Sequence, residues 1–346
     1  MAARRRALDA VRRAEREARA LADQPEPDGV GDVVPFPEPI PDDRLRLLFT
    51  CCHPALASEA RIALALRVIC GVSAARIASA FLVAEPAMYQ RLTRAKAKIK
   101  AAKIPFETPP PREWAYRVGT VLETLETALG IAYRNAVGVG ETEGLAPEVA
   151  RLAALLVDLM PDEAEAHGLL ALVCLVRSRE AARVDDEGVM VPLSAQDVVL
   201  WDASRIEAGR TALDRATALD STGPLQVLAA IHLTHALRRE TGRTDRVAIL
   251  RLYDVLLAMR PTPVVAVNRA LALGRASTPE EGLAAVDELD ARRLADFLPF
   301  HVVRADLLAR AGRSAEARVE YDAALALDPE PAEARLLSGC RDALVG

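Results

Sequence analysis

All four lysines of this 346-residue chain, Lys96, Lys98, Lys100 and Lys103, fall within eight residues, while forty arginines are spread along its length. They close the segment EPAMYQRLTRAKAKIKAAK (85–103), which carries six basic side chains and one acid. Cations at this density can neutralise successive phosphates of a polyanion. On a helix, Met88, Leu92, Ala95 and Ile99 fall on one apolar stripe. Tyr89, Gln90, Arg91, Arg94, Lys96 and Lys98 then lie largely outside it. Immediately upstream, GVSAARIASAFLVAEP (71–86) gives the order short helix, tight turn, second helix. Ser73 is placed to cap the first helix, Ala78 is small where two helices must approach, Leu82 and Val83 fill the turn, and Pro86 suits a first helical turn. A basic helix emerging from such a turn is suited to the DNA major groove.

Two further elements must hold this pair. Leu45, Leu48 and Phe49 in DDRLRLLFTCC form an apolar face, with Asp42 or Asp43 as its cap. Ser58 is positioned to cap SEARIALALRVIC, in which Ile62, Leu66 and Ile69 recur at helical spacing and Gly71 supplies the stop. Residues 4–22 read as a basic helix with seven arginines, and 23–43 as a proline- and acid-rich linker. A second proline cluster, 105–113, divides this front part from a long succession of helices.

Alanine and leucine dominate, aromatics are 4% and the chain is 51% apolar, which favours closely packed helices. The fold class expected is therefore all-α, with one small β-hairpin at 184–193, where Val184, Val189 and Val191 flank Asp-Glu-Gly. LYDVLLAMRPTP (252–263) and EYDAALALDPEP (320–331) align with Tyr253 on Tyr321 and Pro261 on Pro329. Their offset is twice the roughly 34-residue tetratricopeptide (TPR) period. Leu308, Gly312, Ala317, Tyr321, Ala324 and Pro329 fit that repeat, PVVAVNRALALG with EEGLAAVDEL fits another, and ALDRATALDSTGP a less regular one.

The net charge of −5 hides an asymmetry: residues 1–110 hold 18 Lys/Arg against 13 Asp/Glu, whereas the rest hold 26 against 36. A basic front joined to an acidic back suggests a nucleic-acid-facing part with a separate attachment. No apolar run reaches the roughly 18–20 residues of a membrane span, and the arginine-rich start lacks the apolar core of a secretory signal, so the expected location is the cytoplasm.

The five cysteines form no CxxC pair, and Cys51-Cys52-His53 is awkward for tetrahedral zinc, so buried or semi-buried helical thiols are expected and no metal or cofactor is assigned. The set Gly138, Gly140, Gly144 is one residue too long for GxGxxG. His232 and His235, three apart on one helix, have no third ligand nearby and read as packing residues. With no GxSxG, P-loop or HExxH, the chain is not expected to be an enzyme.

Residues 42–106, through CCHPAL, AFLV, QRLTRAKAKI and IPF, resemble region 4 of an extracytoplasmic-function RNA polymerase sigma factor. The closest resemblance is to the subgroup with a C-terminal TPR-like extension, and LSAQDVVLWD (193–202) is similar to that extension. The resemblance implies a helix-turn-helix domain at 44–106, a TPR-like extension at 114–346, and a remnant of the last helix of sigma region 2 at 1–22, the rest of region 2 being absent. It further implies promoter DNA at the −35 element and the RNA polymerase core as partners, with a protein or peptide ligand for the extension. Carried over position by position, Ala87, Tyr89, Gln90 and Arg91 would face bases, while Arg94, Lys96, Lys98 and Arg76 would meet phosphates. Ala84 and Pro86 depart from the residues usual before the recognition helix, and 129–144 and Val198-Val199 depart from the extension's pattern. The competing function is an interaction module, or a DNA-binding regulator unable to initiate transcription.

Overall fold

The computed structural model describes residues 47–49, 51–53, 55–81, 83–102, 113–134 and 144–344, with the side chains of residues 115, 116 and 134 left out. The basic N-terminal helix, the linker at 23–43, Leu45, Leu82, Lys103, most of the second proline cluster and Gly138 and Gly140 lie outside these residues. So does the unit Met1–Glu38; from Pro39 to Gly346 the chain forms one compact unit.

Leu48 and Phe49 are helical and fully buried, as their apolar pattern requires. Three helices follow: α1 (Ser58–Val68), α2 (Ala74–Ala80) and α3 (Glu85–Ala101). The cap of α1 is Ala57, not Ser58; Ser58 is already the first helical residue and makes no capping bond. Gly71 takes φ of +67°, a conformation that costs glycine little, and the chain turns there while Val72 N–H bonds back to Leu66 O at 3.1 Å. Ser73 Oγ accepts from Arg76 N–H and so caps α2. In α3, Pro86 sits in the first turn and needs no N–H donor there.

Beyond these lie α4 (Trp114–Arg134), α5 (Leu145–Leu159), α6 (Ala164–Arg177), α7 (Ala203–Thr217), α8 (Pro224–Ala236) and the single turn α9 (Arg238–Thr241). They are followed by α10 (Arg246–Met259), α11 (Pro263–Ala276), α12 (Pro279–Asp287), α13 (Leu298–Arg310), α14 (Ser314–Ala326) and α15 (Pro331–Asp342). Most pack on their neighbours in sequence, as in α6/α7, α10/α11, α11/α12 and α13/α14, while α8 packs chiefly against α6. The turns between them are set by local chemistry. Asp202, Asp245, Thr262 and Thr278 cap α7, α10, α11 and α12 through their side chains. Prolines occupy the first turns of α8, α11, α12, α13 and α15.

A continuous core runs from Leu48 through α1–α8 to Ala236. Three smaller cores continue it, around Ile249 and Leu256, around Leu283 and Leu307, and around Tyr321 and Leu337. The alanine and glycine richness is what permits the close pairs: a Cβ on Gly282 would stand 2.8 Å from Gly274 Cα and 3.0 Å from Ala270 O. The expected hairpin reduces to a single antiparallel bridge, Val184 with Met190. Asp185 N–H donates to Val189 O and Val191 N–H to Arg183 O on either side of it, and the outward-pointing Met190 N–H donates to Ala332 O on α15, at 3.0 Å.

Between α13 and α14, Glu320 accepts from His301 Nδ1 and from Arg304 Nη1, both at 2.7 Å. The hydrogen bond with Glu320 raises the His301 pKa, and the same bond lowers that of Glu320. The histidine contribution is complete below its ordinary value of 6.5 and is lost as pH rises through the raised pKa. The glutamate contribution is present above 4.5 and is lost as pH falls through the depressed pKa. The stability lost in His301→Leu, measured by urea unfolding, should therefore be greatest between pH 4.5 and 6.5 and shrink in alkaline buffer. Independently, Gly282→Ala should lower stability by about 1–3 kcal/mol in the same assay, the cost of forcing a methyl into a packed helix pair.

Candidate nucleic-acid interface

The interface is built on α3. Met88, Leu92 and Ala95 are buried and Ile99 is half-buried, so the apolar stripe faces the core formed with α1 and α2. At about 100° per residue the rest of the helix is thereby fixed outward. Ala87, Tyr89, Gln90, Arg94, Lys96 and Lys98 are all exposed, Tyr89 to 55%. The same rotation separates them into an outer strip, Ala87–Gln90–Arg94–Lys98, and a flank of Tyr89 and Lys96, which Lys100 extends. Lys100 is exposed and belongs with this set, although the carry-over of family roles did not include it.

The backbone cooperates. Ala84 is the N-cap and offers no side-chain acceptor, so the first N–H groups of α3 are not tied by a capping side chain. With Pro86 and Ala87 exposed and small, that end of the helix presents little bulk. Arg94 folds back to donate to Gln90 O at 3.3 Å, and Thr93 Oγ1 donates to Tyr89 O at 2.9 Å. Neither bond engages an acid, and among the described residues Arg94 has no ion-pair partner.

Two of the candidate residues sit differently. Arg91 lies on the α1 side of α3, half-buried, with Nη1 2.9 Å from a Glu59 carboxylate oxygen and its guanidinium 5.9 Å from the Phe81 ring centroid. Arg76 on α2 pairs at 2.9 Å with Glu330, in the segment leading into α15. The sequence signal for the outward residues was their amphipathic spacing. Glu59 and Glu330 carried none, since they meet their partners only through the tertiary fold.

The cysteine expectation holds in that Cys51 and Cys52 are buried, and burial pushes the Cys51 thiol up to about 12 and that of Cys52 further. Such thiols are poor nucleophiles and ligands at neutral pH. His232 and His235 both line a cavity in the extension, and His232 Nδ1 lies 2.8 Å from Arg179 Nη2. Among the described residues no helix is long and apolar enough to cross a membrane.

A helix-turn-helix with an outward basic second helix defines a DNA-binding class of protein. Comparison with known families gives the class a sharper form. Residues 46–99 match the family "Sigma-70, region 4", and residues 117–217 match a family of unknown function (DUF6596). An uncharacterized protein of Rhizobium meliloti (strain 1021) is 42% identical over 294 residues, which is 85% of this chain and 69% of that protein. The chain belongs to the family of that protein, and is sigma-factor-like, with a DNA-binding role in transcription.

The contrast between buried and surface positions can be measured by urea unfolding. Met88→Ala should cost about 2–5 kcal/mol, because it opens a cavity under α3. Glu59→Ala breaks a partly exposed ion pair and should cost no more than about 1 kcal/mol.

Proposed function

We propose that the chain binds the −35 element of promoters through α3 and engages RNA polymerase through the same region 4, and that the helical extension, TPR-like in its pairing, regulates this binding in cis. The observation that carries the reading is the exposed set Gln90, Arg94, Lys96, Lys98 and Lys100, held on a helix whose stripe Met88–Leu92–Ala95 is buried. Gln90 and Tyr89 would read base edges, Gln90 as a bidentate partner of adenine. Arg94, Lys96 and Lys98 would hold phosphates. Arg91 would join the base-reading set after leaving Glu59. The cytoplasm is the location this activity requires.

Regulation by the extension is supported by the Arg76–Glu330 pair. A phosphate-facing arginine of the helix-turn-helix is there neutralised by an acid from the far end of the chain. The family-level match to region 4 favours this function over a pure protein-interaction module.

The test is equilibrium binding of the purified chain to a library of short duplexes at two salt concentrations, alone and with core polymerase. One enriched motif is expected, with affinity falling steeply with salt, by about 0.9 log unit per log unit of salt for each phosphate contact. Replacing Arg94, Lys96 and Lys98 together by alanine should flatten that dependence by about one unit per residue without altering the motif. Gln90→Ala should instead relax the preference at one base pair, worth about 1–3 kcal/mol. Glu330→Gln frees Arg76 and should tighten binding by roughly the worth of a surface pair, about 0.2–1 kcal/mol. No enriched motif in either condition, with the fold retained, would refute the reading.

A further inference from the structure

The extension contains a cavity of about 1030 Å³ bounded by the 192–201 loop and by α8, α10 and α11. Five arginines line it: Arg179, Arg238, Arg243, Arg246 and Arg275. Among the described residues the one carboxylate in its wall is Asp245, whose oxygen is engaged in capping α10 through Ala248 N–H. Arg275 is offset by Asp306, at 3.3 Å. Arg238 spends its donors on the carbonyls of Leu193, Ser194 and Gln196 and stacks on Trp201, so no acid neutralises it there.

Arg179 is the unusual member. It is 0% exposed, yet its one hydrogen bond is to the neutral acceptor His232 Nδ1, and its Nε and Nη1 meet no acceptor among the described residues. A buried cation without a counter-charge is costly, and such a group is normally paired. Burial and the Arg179 charge hold His232 well below the ordinary imidazole range, and burial, then Arg179, brings His235 to about 4. Both rings are thus neutral near pH 7. With Nδ1 of His232 accepting from Arg179, its Nε2 carries the proton and is a further donor. Asn268 adds an amide, while Trp201, Ile231, Ile249 and Leu271 supply apolar wall.

We propose that this cavity binds a small organic anion, a carboxylate or phosphate ester carried on an apolar body, with Arg179 as its charged anchor. The acidic group supplies the acceptors that Arg179 lacks, and the apolar body lies against the Trp201 side. The volume suits a metabolite-sized molecule. The cavity is walled by the helix pairs that continue into α15 and Glu330, so occupancy would act on the extension itself. The inference is independent of the promoter reading, since it concerns a separate site with its own assay.

The probes are phenylacetate and phenyl phosphate, with phenylacetamide as a neutral control of matched shape, titrated into the full chain by calorimetry and by fluorescence, Trp201 being one of two tryptophans. At least one anion should bind, and phenylacetamide about tenfold or more weakly, since a charged hydrogen bond is lost. The two anion arms decide between carboxylate and phosphate. Arg179→Gln should weaken anion binding by about tenfold or more while leaving the melting temperature of the ligand-free chain unchanged or higher, because a buried uncompensated charge has been removed. Should that variant fail to fold, Arg246→Gln, at an exposed position in the same wall, should weaken binding severalfold. Absence of binding by either anion, equal binding of the amide, or wild-type anion affinity in Arg179→Gln would each overturn the proposal.

Discussion

The contact on which the rest of the molecule depends is the docking of α4 against the helices that carry α3. Trp114, 3% exposed, stacks on Phe49 with ring centroids 5.6 Å apart and planes at 29°. One turn further, Arg117 is buried, donates to Phe49 O at 3.1 Å and pairs with Glu113. Arg61 reaches from α1 to Thr120 on α4 at 3.3 Å. Three short helices bury little surface by themselves. With α4 as a fourth wall, Ala63, Ala65, Leu66 and Ile77 become nearly inaccessible, and the core of the helix-turn-helix runs without a break into that of the extension.

This arrangement explains how a chain of net negative charge can present a nucleic-acid-binding face. The apolar stripe of α3 is consumed by the core, so its basic residues have nowhere to point but outward. Many of the extension's arginines pair with its own acids, as in Arg260–Glu126, Arg269–Asp254 and Arg304–Glu320. The lysines of α3 have no ion-pair partner among the described residues. Basic surface therefore concentrates on one helix. The same packing puts Glu330 against Arg76, linking the two ends of the described fold by a contact that is weak alone.

Much of the helix-turn-helix was legible in the sequence because its determinants are local. Gly71 and Ser73 act through their own backbone or the next few residues, and Met88, Leu92 and Ala95 declare a face by spacing alone. The alanine-rich helix pairs were legible for the same reason, although Gly312, read with the first helix of its pair, lies in the turn just past that helix. Errors arose where one residue's choice was settled by neighbours. Ser58 enters the helix, the extended cap conformation falling on Ala57, and the hairpin at Val184 is a single bridge whose outer edge is held by α15 through Met190 N–H and Ala332 O. Nothing local marked Glu59, Glu330 or the Arg179 cavity. Each is assembled from residues tens to hundreds of positions apart, and His232 and His235 read as packing because the arginine beside them lies 53 positions upstream of His232.

The claim most exposed to test is that the helix-turn-helix and the extension share one cooperative core. Native-state hydrogen exchange can compare the amides of Ile62–Leu66 in α1 with those of Ala166–Val176 in α6. The account predicts that both sets open with the same free energy and that Trp114→Ala lowers the two together. Opening of the α1 amides at a much lower free energy, with α6 unaffected by Trp114→Ala, would show that the two parts are held independently and would contradict it.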